Sequence, residues 1–203
     1  MRGIARALIL TAVITLFLHT QLWACVGKTL QVGVVHSGEV KLMSRMLSIL
    51  VNERTGTSVK MKEYGTFAEC FAALVECEVD MAIAFTGEGY FQINPGEKAG
   101  SAQEVLEEVK ATFNREHNLI WLEPWGVDDG GRFVRDGDGQ PVITQAAPLV
   151  RKDALKKFPA LARLVNKMSG RLEPAVMTSL LRDAETQDED GVAREFLKAQ
   201  KLI

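Results

Sequence analysis

Three short segments of this 203-residue sequence carry residue types that bind small charged molecules. They are residues 36–39 (His-Ser-Gly-Glu), 64–66 (Tyr-Gly-Thr) and 85–90 (Phe-Thr-Gly-Glu-Gly-Tyr). Each segment follows a predicted strand, and two of them open a predicted helix, at Ser37 and Thr66. The free N–H groups at the start of a helix bind carboxylates, and aromatic faces attract cations. The pattern therefore favours a site for a small molecule that carries both charges.

The candidate binding residues lie in these segments or add a further aromatic face. They are Ser37, Glu39, Tyr64, Thr66, Phe85, Thr86, Gly87, Tyr90 and Trp125. The aromatic members also have a plainer interpretation as core or lid packing, because apolar rings are often buried. A catalytic pair among Glu39, Glu63 and Glu88 is the less favoured alternative, because carboxylates near strand ends are more commonly solvated or cap a helix.

The elements that would position these segments alternate between strand and helix. Residues 30–35 and 80–85 are apolar β runs, and residues 58–62 alternate weakly, as a strand does. An amphipathic helical pattern lies between the strands predicted at residues 30–35 and 58–62. Thr66-x-x-Glu69 is a capping box that opens a helix over residues 67–78. This β-α-β-α-β order predicts a parallel sheet with helices packed on it. Ligands collect at the carboxyl ends of the strands in such sheets.

The rest of the sequence predicts one further strand, a hairpin and several helices. Ser101-x-x-Glu104 opens a helix to about residue 117, and residues 119–122 form the next strand. Asp136-Gly137-Asp138-Gly139 predicts a hairpin turn rather than a calcium loop, because the later calcium ligands are missing. The predicted C-terminal helices cover residues 154–169, 174–185 and 192–200.

Composition and motifs exclude several classes of function. The formal net charge of −2 argues against a nucleic-acid binder held by a basic face. The sequence has no Gly-rich phosphate loop, no G-x-S-x-G elbow, and no H-E-x-x-H or C-x-x-C motif. We therefore expect a protein that is not an enzyme and that uses no cofactor and no metal.

The first residues are typical of an export signal. A positive start precedes an apolar run over residues 7–18, which is short for a membrane span. Leu22-Trp23-Ala24-Cys25 then resembles a bacterial lipobox, with Cys25 as the lipidated residue after removal of residues 1–24. Ordinary cleavage near Ala24 and an uncleaved anchor remain alternatives. We expect a short linker at residues 25–29 and one α/β domain over residues 30–203, in the periplasm or cell envelope.

Two later cysteines are spaced against a disulfide. Cys70 and Cys77 both fall on the helix predicted over residues 67–78. Seven residues of helix separate α-carbons by about 10 Å, and a disulfide needs less than about 7 Å. We therefore predict two buried core thiols.

Several short motifs, in one order, resemble a known family. They are FTG (residues 85–87), WLEP (121–124), AAPLVRKD (146–153), KMSGRL (167–172) and VAREFLK (192–198). The sequence resembles the substrate-binding proteins of glycine betaine/carnitine/choline ABC importers. The resemblance implies a type 2 periplasmic-binding-protein fold, a zwitterionic or quaternary-amine solute, and an ABC importer membrane subunit as partner.

The sequence departs from that family where a second lobe would be inserted. Only residues 125–145 separate the WLEP and AAPLVRKD motifs, which leaves room for a hairpin. Val35 stands at a family lysine, and Phe85 at a family tyrosine. We therefore expect a single lobe with a mostly parallel sheet, flanking helices and a short hairpin in place of the second lobe.

Two functions follow from the resemblance and its departures. The first is an exported, non-enzymatic solute-binding component, or a degenerate relative, of an ABC importer for osmoprotectants, which binds weakly because one lobe cannot enclose a solute. The alternative is an envelope adaptor or sensor that uses the strand-end face to bind a protein. That alternative predicts that Phe85, Tyr90 and Trp125 lie open to solvent.

Lipidation gives the first testable prediction. Cys25→Ser should move the protein from the membrane fraction to the soluble periplasm, because the substitution removes the acylated thiol. Cell fractionation measures this, with Cys77→Ser as a control that leaves the motif intact. A wild-type protein that is already soluble after cell disruption would contradict lipidation.

Overall fold

The computed structural model of the protein describes residues 28–203. The predicted signal peptide at residues 1–24 and the lipidation site Cys25 lie outside the described residues. Within residues 28–203, no helix has the length and apolar character needed to cross a membrane.

A mixed sheet forms the centre of the described chain. The strands of the described residues are β1 (Thr29–Val35), β2 (Ser58–Tyr64), β3 (Met81–Phe85), β4 (Leu119–Trp121), β5 (Val134–Arg135), β6 (Pro141–Val142) and β7 (Ala146–Arg151). The central sheet has the strand order β2-β1-β3-β7-β4, and β7 runs opposite to the other four strands. The predicted mostly parallel sheet is therefore confirmed.

Helices pack against this sheet and begin where the capping residues predict. The helices are α1 (Gly38–Thr55), α2 (Phe67–Val75), α3 (Thr86–Ile93), α4 (Ala102–Glu116), α5 (Lys152–Lys157), α6 (Leu161–Val165), α7 (Pro174–Ala184) and α8 (Glu189–Ala199). A 3₁₀ turn at Asn166–Met168 follows α6. The side chains of Thr66 and Ser101 each complete a capping box at a helix start.

The core is built from the sheet and the buried faces of several helices, among them α1, α2 and α4. The predicted stripe of α1 is fully buried, and it comprises Leu42, Met43, Met46, Leu47 and Leu50. Every residue of β3 is buried as well, which is typical of a strand covered on both faces. Gly56 then ends α1 in the left-handed conformation, with φ of 67°.

Helix α2 is shorter than its sequence pattern predicts. It ends at Val75, and Cys77 takes a left-handed φ of 67°. The N–H groups of Cys77 and Glu78 donate to the carbonyls of Leu74 and Ala73, which is a Schellman turn. Because the chain must reverse there to enter β3, Cys77 does not continue the buried helix face that holds Cys70 and Leu74. Cys70 is buried as predicted, but Cys77 is exposed, so the prediction of two buried thiols is wrong for Cys77.

Helix α3 occupies a segment that the sequence analysis treated as a loop. The sequence did not predict this helix, because its first turns contain two glycines, Gly87 and Gly89, and glycine disfavours helices. Both are required by close packing. A Cβ on Gly89 would lie 2.6 Å from the Trp121 ring, and one on Gly87 would lie 2.5 Å from Thr144 Oγ1.

The chain between β4 and β7 folds over the end of the sheet. Strands β5 and β6 form the predicted hairpin, with Val134 paired to Val142. At its turn, Asp136 Oδ1 accepts hydrogen bonds from the N–H groups of Asp138 and Gln140. This carboxylate organises a turn, and no group of His, Cys, Asp or Glu within the described residues could hold a metal ion.

The two cysteines should differ sharply in reactivity. Burial raises the pKa of the Cys70 thiol to about 12, so little thiolate forms, whereas Cys77 is exposed. We expect a maleimide to label Cys77 in the folded protein and Cys70 only after unfolding. Peptide mass spectrometry locates the label. Cys77→Ser should abolish the labelling of this pair of sites in the folded state, whereas Cys70→Ser should leave it, and labelling of native Cys70 at the rate of Cys77 would contradict the fold.

Candidate binding site at the strand ends

The three candidate segments meet at the carboxyl ends of adjacent parallel strands. Residues 36–39 follow β1, residues 64–66 follow β2 and residues 85–90 begin at the end of β3. The His36 N–H donates to the Tyr64 carbonyl at 3.1 Å, which ties the first two segments together. The structure therefore brings the sequence-predicted residues to one edge of the sheet.

The helix starts at Ser37 and Thr66 are already capped by the chain itself. Ser37 Oγ accepts a hydrogen bond from the Val40 N–H at 3.4 Å and donates to Glu39 Oε2 at 2.6 Å. Thr66 Oγ1 accepts from the Glu69 N–H, and Glu69 Oε2 accepts from the Gly65 N–H at 2.9 Å. A solute carboxylate at Thr66 would therefore compete with the side chain of Glu69.

The aromatic residues are buried, contrary to the prediction that they lie open. Phe85 is 2% exposed, Tyr90 is 5% exposed and Trp125 is fully buried. The Tyr90 hydroxyl donates to the Lys98 carbonyl at 3.2 Å. Tyr64 is half-buried, and within residues 28–203 its hydroxyl has no hydrogen-bond partner. The segment between β4 and β7 covers Phe85, whose ring lies 5.8 Å from that of Phe133.

Arg132 completes the cover over Phe85. Its guanidinium carbon lies 5.0 Å from the Phe85 ring centroid and 5.6 Å from that of Phe133. Its Nε donates to the Asp129 carbonyl at 2.8 Å, and an Nη2 atom lies 3.6 Å from Glu39 Oε1. The sequence analysis missed Arg132, because a single arginine between two turns carries no signal of such a contact.

A second carboxylate lies beneath this cation. Glu88 is largely buried, and its Oε2 accepts a hydrogen bond from the Phe85 N–H at 3.3 Å. Burial raises the pKa of Glu88, and the nearby charge of Arg132 opposes that rise. Arg132 therefore lies near the carboxylates of Glu39 and Glu88, with the buried carboxylate of Asp129 also at this edge.

The N-terminus of α3 is closed by the returning chain. The Thr86 N–H donates to the Gln145 carbonyl at 3.0 Å, and the Gly87 N–H donates to Thr144 Oγ1 at 2.8 Å. Thr144 Oγ1 in turn donates to Asp129 Oδ2 at 2.9 Å. Thr86 and Gly87 therefore use their N–H groups within the chain, and the carboxylate at this helix start belongs to Asp129.

Open clefts lie beside the covered rings, two of them next to Ser37 and Glu39. One has a volume of about 340 Å³ and is lined by His36, Ser37, Lys41 and Glu63, among others. The second has a volume of about 360 Å³ and lies between Glu39, Arg132, loop residues 127–130 and α7. His36 Nε2 lies 3.5 Å from Glu63 Oε2 in the first cleft, and both side chains are more than 60% exposed. Such clefts suit a wet, weakly held solute rather than an enclosed one.

Comparison with protein families found a match to part of the chain. A family model described as the substrate binding domain of ABC-type glycine betaine transport systems matches residues 128–199. The resemblance that the sequence motifs predicted is thereby confirmed over the C-terminal part of the chain. No curated protein matches the sequence.

Solved structures show the same fold at low sequence identity. A protein described as a glycine betaine/carnitine/choline ABC transporter has a TM-score of 0.75 and 11% identity, covering 87% of this chain and 99% of that chain. YehZ from Escherichia coli, without ligand, has a TM-score of 0.73 and 16% identity, covering 86% and 99%. Lactococcal OpuAC, complexed with glycine betaine, has a TM-score of 0.55 and 11% identity, covering 86% and 96%. The predicted fold class, α/β of the periplasmic-binding-protein type, is confirmed.

The hydroxyl of Thr144 should be important for stability. Thr144→Val removes the partner of both the Gly87 N–H and Asp129 Oδ2, and a buried polar group without a partner costs about 1–3 kcal/mol. We expect the free energy of unfolding, measured with urea, to fall by at least that amount. Thr144→Ser, the matched control, keeps the hydroxyl and should cost less than about 1 kcal/mol. Equal stability of the valine and serine variants would contradict this role.

Proposed function

We propose that the protein is an exported, non-enzymatic solute-binding relative of ABC importers for betaine- and choline-type solutes. The observation that carries this proposal is the meeting of three polar segments at one strand-end edge of a periplasmic-binding-protein fold. The match of residues 128–199 to a substrate-binding family supports it. Its partners would be a small zwitterionic or quaternary-amine solute and the membrane subunit of an importer.

We further propose that free solutes bind weakly. An aromatic face contributes about 0.5–1 kcal/mol to an exposed cation and about 2 kcal/mol to a desolvated one. In this chain Arg132 already covers the Phe85 ring, and Glu69 and Thr144 already use N–H groups of two helix starts. The remaining contacts fall well short of the ~8 kcal/mol that micromolar affinity requires.

The proposed location is the periplasm or cell envelope, with a lipid anchor at Cys25. The export signal and the lipobox-like segment support this part of the proposal. An anchored protein would stay close to a membrane subunit, and a high effective concentration there would offset weak contacts.

A second candidate function is an envelope adaptor that binds a protein and no free solute. The argument from open aromatic rings no longer supports it, because Phe85, Tyr90 and Trp125 are buried. What favours it instead is the occupied ring face, since the Arg132 guanidinium already lies against the Phe85 ring. Detectable solute binding at the strand ends would decide for the first candidate.

Calorimetric titration tests the proposed function. Glycine betaine, choline, carnitine and proline should each bind the purified domain with a millimolar Kd or below detection. Phe85→Leu removes the ring while retaining apolar volume, so it should weaken any binding that is measured. Phe91→Leu is the matched control, because Phe91 lies on α3, which begins directly after Phe85, and is 56% exposed. A micromolar Kd for the wild-type monomer would show that weak binding is wrong.

A further inference from the structure

The contacts of Arg132 are those of a bound ligand. Its planar guanidinium lies against the rings of Phe85 and Phe133, at 5.0 and 5.6 Å from their centroids. Its Nε donates to the Asp129 carbonyl, and its outer nitrogen faces the Glu39 carboxylate. Two aromatic rings, one backbone acceptor and one carboxylate therefore lie around a single guanidinium, whose side chain is 48% exposed.

The walls around this guanidinium are held by bonds that do not involve its side chain. Asp129 Oδ1 accepts hydrogen bonds from the Gly131 and Thr144 N–H groups at 2.9 and 2.8 Å. Phe85 belongs to the fully buried strand β3, and Glu39 is held by Ser37. Asp129, Phe85 and Glu39 are therefore held independently of the Arg132 side chain, so its removal should leave them in place.

The charge at this position also requires a cation. The Glu39 side chain is 27% exposed and its Oε1 lies 3.6 Å from the guanidinium, and the half-buried Glu88 is near enough for the charge of Arg132 to lower its pKa. Lys41 is the nearest other cation on α1, but its Nζ is bound to Glu189 at 2.9 Å. Without Arg132 the two carboxylates at the ring face would lack the cation that now faces them.

We propose that Arg132 is an internal ligand, and that the pocket it fills, formed by Phe85, Phe133, Glu39 and the Asp129 carbonyl, is a guanidinium-binding site. A quaternary ammonium has no N–H donor, so it cannot replace the hydrogen bond that Arg132 Nε donates to the Asp129 carbonyl, whereas a guanidinium can. The pocket therefore selects planar guanidino compounds. This inference rests on the proposed function in placing solute binding at the strand ends, but it names a different class of ligand.

Replacement of the internal ligand by a free one tests the proposal. Arg132→Ala removes the guanidinium and most of its stem, and ethylguanidinium has the size of the missing group. We expect calorimetry to give a millimolar Kd for ethylguanidinium in Arg132→Ala, at least tenfold tighter than in the wild type. Tetramethylammonium should bind the variant at least threefold more weakly. Arg163→Ala, at an exposed arginine of α6, is the matched control and should behave as the wild type does.

Each other outcome would overturn part of the proposal. A folded Arg132→Ala that does not bind ethylguanidinium would show that the pocket is no cation site, and tighter binding of tetramethylammonium would contradict the ligand class. If Arg132→Ala unfolds, Arg132→Ser, which empties the same space, gives the same comparison. A Glu39→Gln change in the Arg132→Ala background should reduce ethylguanidinium binding several-fold.

The same titrations separate this proposal from the proposed function. Micromolar glycine betaine binding to the wild type would contradict weak solute binding, but it would leave the ethylguanidinium comparison between variants unchanged. Failure of ethylguanidinium to bind Arg132→Ala would leave the proposed function unchanged.

Discussion

The buried carboxylate of Asp129 is the constraint on which the strand-end edge depends. Asp129 is 1% exposed, and a buried carboxylate is tolerated only when its oxygens are hydrogen-bonded. It accepts three hydrogen bonds, from the Gly131 N–H and from the N–H and hydroxyl of Thr144. These bonds join the two ends of the segment between β4 and β7. Because Thr144 also binds the Gly87 N–H, the segment is fixed to the start of α3.

Once that segment is fixed, the burial and charge of the edge follow. Phe133 and Arg132 are carried over Phe85, so a ring that would otherwise face solvent is 2% exposed. The guanidinium lies 3.6 Å from Glu39 and near the half-buried Glu88. Burial raises the pKa of Glu88. An aromatic ring that holds its own cation cannot at the same time attract another one at full strength. The Phe85 ring face, which could otherwise bind a solute cation, is therefore occupied by a cation of the chain itself.

Local patterns in the sequence predicted the elements, but they could not predict contacts between distant segments. The stripe of α1 and the capping boxes at Thr66 and Ser101 depend on residues within a few positions, so each was found. Helix α3 was missed because its glycines serve packing against Trp121 and Thr144, which lie far along the chain. The end of α2 was missed because Cys77, not a glycine, adopts the left-handed conformation. The site residues were brought to one edge, yet their exposure depended on a segment without a recognisable pattern.

The strand ends of the described lobe are covered by the chain itself. Parallel strands leave polar backbone and helix N-termini at that edge, and these groups need partners when they are covered. Here the partners come from within the chain: Glu69 at α2, and Thr144 with Gln145 at α3. The aromatic face receives a cation from the chain as well, through Arg132. Because Asp129 and Glu39 also have hydrogen bonds that do not involve the Arg132 side chain, the cation on the ring face is added to these networks and is not their centre.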